Sequence, residues 1–157
     1  AEDGIRDYKV TGVQTCCSSD LKEAKFSTEV FVGNIVKDVA LNYKLDAERV
    51  FVYGSTDSGL AGYSTALDSV SQVRGAYLLS SPFKGSQLPP LKGAKGRKFY
   101  LQHSREDKTT PYLTAVTAQK LLTDNGATVK LSDIEGNKGM EFPEQVKQAL
   151  AWLETGR

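Results

Sequence analysis

Residues 50–59, VFVYGSTDSG, constrain this chain more than any other stretch. An apolar, β-branched run reaches Gly54 and gives way at once to a helical pattern opening near Gly59. A strand that feeds a helix through a glycine-flanked corner belongs in a sheet with crossover helices packed back on it. The same geometry holds the corner residue exposed and strained. Corners of this kind carry G-x-S-x-G; here Gly54 leads to Thr56 in the serine place and to Ser58 in the second glycine place. The sequence therefore reads as a built corner with altered chemistry.

The rest of the chain supports that setting. YKVTGVQT, residues 8–15, alternates like a strand weakened by Gly12. Phe31, Ile35 and Val39 recur every four residues, with Val32, Val36 and Tyr43 widening the stripe behind Ser27 or Thr28, so a helix is predicted over 28–43. A strand over 50–53, a helix over 59–67 and a strand over 76–80 follow. Residues 81–96 hold Pro82, Pro89 and Pro90 and read as loop, and 98–102 read as strand. Pro111 opens a helix that stops at Gly126, residues 128–133 are a strand, and Pro143 opens a last helix over 143–154. Strands alternating with helices predict one three-layer α/β/α domain over 1–157 with a mostly parallel sheet of about five strands. The working end of such a sheet is its C-terminal edge, so the loops 54–59, 81–96, 103–110 and 134–141 are expected together.

Bulk properties narrow the function classes. A net charge of +1, from 20 basic and 19 acidic residues, gives no field for nucleic acid or a membrane surface. No apolar run approaches the ~20 residues of a membrane span. Cys16 and Cys17 are adjacent, too strained to bridge to each other, and read as small apolar residues. Neither a metal nor another cofactor is expected. Ala1 in place of Met marks a processed or excised chain, and a cleaved secretory signal leaves such an end too. The compartment stays open, with a soluble secreted or periplasmic protein among the options.

The run HSREDKTTP, residues 103–111, follows the fourth predicted strand. Together with DAERVFVYGSTDSG, GATVKLSDIEGNKGMEF and QVKQALAWLE, it makes residues 46–155 resemble the α/β-hydrolase superfamily, especially its dienelactone-hydrolase-like and prolyl-oligopeptidase-like esterases. The resemblance implies Thr56 in the nucleophile slot, Asp107 as acid partner, and the N–H groups of Asp57 and Ser58 as oxyanion or anion donors. It also implies a pocket edged by Ser55, His103, Lys138 and Met140. The departures are as informative. The loop over 135–140, where the family carries its catalytic histidine, has none, and His103 is the one histidine of the chain. Only one strand–helix unit precedes the corner, so the domain reads as N-terminally shortened.

Each candidate has a plainer reading. Thr56, Asp57 and Ser58 suit helix caps, and Asp107 suits an Asx turn that binds loop N–H groups. His103 suits a structural role on loop backbone. Lys138 is a replacement base only if desolvated. Lys92, Lys95, Arg97 and Lys98 read as a solvated basic loop, and the aromatic residues at 26, 31, 43, 51 and 53, with Trp152, read as core.

Three functions follow. The first is a hydrolase-like domain without its full catalytic set, binding a small ester-like or anionic ligand, or a partner. The second is a weak esterase working through Thr56 and Asp107. The third is flavodoxin-like binding of FMN or phosphate, with Gly54, Ser55, Thr56, Ser58 and Gly59 as the phosphate loop. If the final helix alone covers one sheet face, exposed apolar area remains there for a second copy or a partner domain.

Overall fold

The structure, a computed structural model, describes residues 27–68, 70–135 and 143–156. The predicted strand over 8–15, Cys16, Cys17 and Phe26, together with Lys138 and Met140, lie outside the described residues. Four strands, β1 (Phe51–Ser55), β2 (Gly75–Leu79), β3 (Lys98–Ser104) and β4 (Thr128–Ile134), form one sheet in the order β1-β2-β3-β4. Every pairing is parallel, as the alternating pattern requires. Four helices accompany them: α1 (Thr28–Asn42), α2 (Gly59–Leu67), α3 (Tyr112–Asp124) and α4 (Pro143–Thr155).

Because each strand joins the side of its predecessor, right-handed crossovers place the connections on one face. There Tyr63, Ala66 and Leu67 of α2 and Ala118 and Leu122 of α3 bury against Ala76, Leu78, Phe99 and Leu101. Val32 of α1 joins the edge of that core. The other face receives Ala149, Trp152 and Leu153 of α4, packed on Tyr77, Leu79 and Tyr100. Period-two alternation along β2 thus divides one apolar run between two cores. Tyr53, Tyr77, Tyr100 and Lys130 stand opposite one another across all four strands. Their ring centroids lie 5.1 Å (Tyr53–Tyr77) and 5.7 Å (Tyr77–Tyr100) apart.

Several expectations change. α1 buries no residue fully; Val32, Val36 and Val39 are half-buried while Ile35 is exposed. Tyr43 and Tyr53, read as core, are 66% and 44% exposed. Tyr43 sits past the end of α1, and Tyr53 lies on the strand that is outermost among the described residues, at the side that α4 leaves open. β3 extends to Ser104, which takes His103 into the strand. The connection after β2 does not stay at the C-terminal edge. It folds into two 3-10 turns and crosses to the opposite edge, where Gly93 sits so close to Leu67 O that a Cβ would lie 2.0 Å away.

The basic loop is not all solvated either. Arg97 is buried, and its guanidinium donates to Ala66 O and, at 2.7 Å, to Asp68 O at the end of α2. Lys98 Nζ donates to Leu153 O at 2.8 Å and Glu154 O at 2.9 Å at the end of α4. Two cations of that run therefore satisfy carbonyls that a helix C-terminus leaves open, at the negative end of its dipole.

Candidate functional site

The corner after β1 is tight because two backbones meet there. A Cβ on Gly54 would lie 3.0 Å from Gly59 Cα and 3.0 Å from Ser58 O, and one on Gly62 would lie 2.8 Å from a Leu78 methyl. A Cβ on Gly59 would overlap Ser81 Oγ at 2.0 Å. The glycine requirement thus falls on Gly59 and, against backbone, on Gly54, while Ser58 keeps an ordinary right-handed backbone. Its hydroxyl folds back, accepting from Ser55 N–H at 3.0 Å and donating to Ser55 O at 2.8 Å.

Thr56 is the unusual residue. Its φ is +45°, in a region that β-branched residues rarely enter. Its side chain is exposed and makes no hydrogen bond among the described residues, so it does not cap the helix as Ser58 closes the turn. Asp57 is exposed beside it, in the 3-10 turn 56–58 that leads into α2. The N–H groups of that turn lie at the positive end of α2.

The corner after β3 is closed. His103 is 1% exposed, and its Nε2 lies 2.8 Å from Thr110 O. A carbonyl only accepts, so Nε2 carries the proton and is occupied. Asp107 Oδ2 is 3.6 Å from the same nitrogen, too far for a hydrogen bond. Asp107 Oδ1 accepts from Thr109 N–H at 2.8 Å and Thr110 N–H at 2.9 Å, an Asx-type turn that delivers the chain to Pro111. The structure therefore brings His103 and Asp107 together with Thr110, and groups Ser55, Thr56, Asp57 and Ser58 separately. β2 stands between β1 and β3, a lateral separation of roughly 10 Å at ordinary strand spacing.

A third cluster was not singled out in the sequence. Arg105 Nε donates to Asp133 Oδ2 at 2.7 Å, Tyr112 O–H donates to Asp133 Oδ1, and the Arg105 guanidinium lies 4.6 Å from the Tyr112 ring centroid. The Tyr112 hydroxyl and then Arg105 hold the Asp133 carboxyl below its usual range. Partial burial, then the bond to Asp133, raises Tyr112. Only the β3–β4 register, which sets His103 opposite Asp133, brings these residues into reach. A cavity of about 570 Å³ lined by Ser104, Arg105, Glu106, Asp133, Ile134 and Glu135 opens there. Among the described residues no group of three or more His, Cys, Asp or Glu side chains is placed to hold a metal ion. No helix of the described residues is long and apolar enough to cross a membrane.

No family model matches the chain. No curated protein matches it either. Solved structures do. An esterase, PE8, superposes with a TM-score of 0.61 at 18% identity, over 78% of this chain and 57% of its own. The Bacillus cereus carboxylesterase gives 0.63 at 17%, over 82% and 60%. Zea mays acyl-protein thioesterase 2 gives 0.60 at 16%, over 80% and 62%. The chain has the α/β-hydrolase fold, and it spans about three fifths of the length of these proteins.

Proposed function

We propose that this chain is an α/β-hydrolase-fold domain that binds a small carboxylate or ester-like ligand at the Thr56 corner with little or no turnover. The observation that carries this reading is the left-handed backbone of Thr56 at an exposed corner, with its hydroxyl unengaged among the described residues. Such strain in a β-branched residue costs about 1–3 kcal/mol and collects at ligand sites. N–H groups at the start of α2 suit a ligand oxygen.

Turnover is a different matter. The chain has one histidine, and it is buried, bonded to Thr110 O, and separated from Thr56 by β2. Asp107 is likewise committed to its own loop. Without a general acid–base, an acyl-transfer site forfeits on the order of 10²–10⁴ in rate.

The test is hydrolysis of p-nitrophenyl butyrate by the chain and by its Thr56→Ala and Asp107→Asn variants, beside an NMR titration with butyrate. We expect rates at the buffer background in all three proteins, and butyrate-dependent shifts in the amides of residues 56–59. Turnover abolished in both variants would replace this reading with that of a weak esterase. An FMN titration that moves the same amides, where butyrate does not, would favour a phosphate loop.

A partner surface belongs to the same reading. Among the described residues β1 is an edge strand with neither charge nor proline, and its Tyr53 is 44% exposed where α4 does not reach. A second copy or partner domain would cover it, and light scattering on the purified chain reads this directly.

A further inference from the structure

Two non-glycine residues in the described chain have left-handed backbone, Thr56 at φ +45° and Ser80 at φ +46°. They are neighbours. Ser55 pairs with Leu79, so positions 56 and 80 stand side by side where β1 and β2 end. Ser80 carries a second unfavourable feature, a buried hydroxyl with no hydrogen-bond partner among the described residues. Its backbone N–H still holds Gln102 O at 2.9 Å, so the strand ladder is intact up to that residue.

The next residue has the contacts that Ser80 lacks. Ser81 is 3% exposed, and its Oγ lies 3.0 Å from Leu79 O and 3.4 Å from Gly54 O, touching the last turns of both strands. Its side chain fills the space a Cβ on Gly59 would take, with Oγ at 2.0 Å and Cβ at 2.1 Å from that point. Gly59 is the first residue of α2.

Taking the Thr56 corner as the ligand site, we propose that Ser81 is its positioning residue. The strained turn at Ser80 swings Ser81 beneath the corner. There Ser81 ties Gly54 to the end of β2 and sets the start of α2 at the distance that presents Thr56 and the N–H of Asp57. Ser81 touches no ligand and acts only through Gly54 and Gly59. Strain at Ser80 persists because the surrounding contacts hold it.

Variants at positions 59, 80 and 81 test this by amide positions in ¹H–¹⁵N spectra, butyrate affinity and melting temperature. Ser81→Ala is expected to move the amides of Thr56, Asp57 and Gly59 and to weaken butyrate about fivefold, the worth of one hydrogen bond. Gly59→Ala is expected to displace the corner. Ser81→Gly in the same chain frees the space and brings the corner amides back as far as their positions in the Ser81→Ala chain, whereas Ser81→Ala does not, since its Cβ remains. Ser80→Gly adopts the same backbone without strain and is expected to raise the melting temperature with the corner amides unmoved. Unmoved amides and unchanged affinity in Ser81→Ala, or failure of Ser81→Gly to rescue Gly59→Ala, would overturn the proposal. If the unaltered chain does not bind butyrate, the ligand reading falls, while the amides and the rescue still decide the positioning.

Discussion

The corner after β1 and the corner after β3 occupy equivalent places at the same sheet edge, yet they are built in opposite ways. At the first, Thr56 is exposed, left-handed in its backbone and without a side-chain partner among the described residues. At the second, His103 is buried against Thr110 O, and one Asp107 oxygen takes two backbone N–H groups. A reactive site keeps polar groups free and strained, and a structural one consumes them. The β1 corner has the first set of features and the β3 corner the second, and the proposed reading of binding with little or no turnover rests on that contrast.

His103→Ala tests the larger half of that contrast. It leaves Thr110 O without its donor and opens a buried cavity, so unfolding free energy should fall by about 3 kcal/mol in denaturant titrations. Ester hydrolysis at buffer background should not change. A stability unaffected by the substitution would mean the second corner is not structural.

Thr56→Gly works in the other direction. Glycine takes a positive φ without strain, so stability should rise by about 1 kcal/mol, measured by thermal melting. A loss of stability would mean that the threonine side chain holds a contact and that the first corner is not free.

The smallest effect belongs to the neighbouring cluster. Tyr112 and Arg105 hold Asp133 below its usual range, so its ion pair stabilises the fold above that range and is lost as pH falls through the depressed value. Tyr112→Phe removes the hydrogen bond that lowers it most. The Asp133 carboxyl should then titrate at higher pH by NMR, and the loss of stability on its acid side should become smaller.

Much of the fold was legible because periodicity reports packing. The alternation of β1 to β4 with α2, α3 and α4, and the packing of α4 on the face opposite the crossovers, follow from the spacing of apolar residues and the glycine and proline stops. Residues whose role depends on distant partners were not legible. Arg97 has the composition of a solvated loop, yet it closes a helix end 29 residues earlier in the chain. Arg105 and Tyr112 gain their meaning from Asp133, which only the β3–β4 register supplies. At the site, the spacing pointed to Thr56 and Asp107, but not to the left-handed Thr56 or to the loop N–H groups that occupy Asp107. Tyr53 illustrates the limit of composition, since an aromatic residue on a strand is core only if something packs over it.

The placement of every crossover on one side has a consequence for synthesis. A chain emerging from its N-terminus can pair β1, β2, β3 and β4 in turn, each with the strand made just before it. The face bearing Tyr77, Leu79 and Tyr100 gains Ala149, Trp152 and Leu153 only after β4 is complete. Until then no described residue from another element covers the aromatic face of a nascent sheet, the kind of transient exposure that chaperones recognise and that drives aggregation when synthesis stalls.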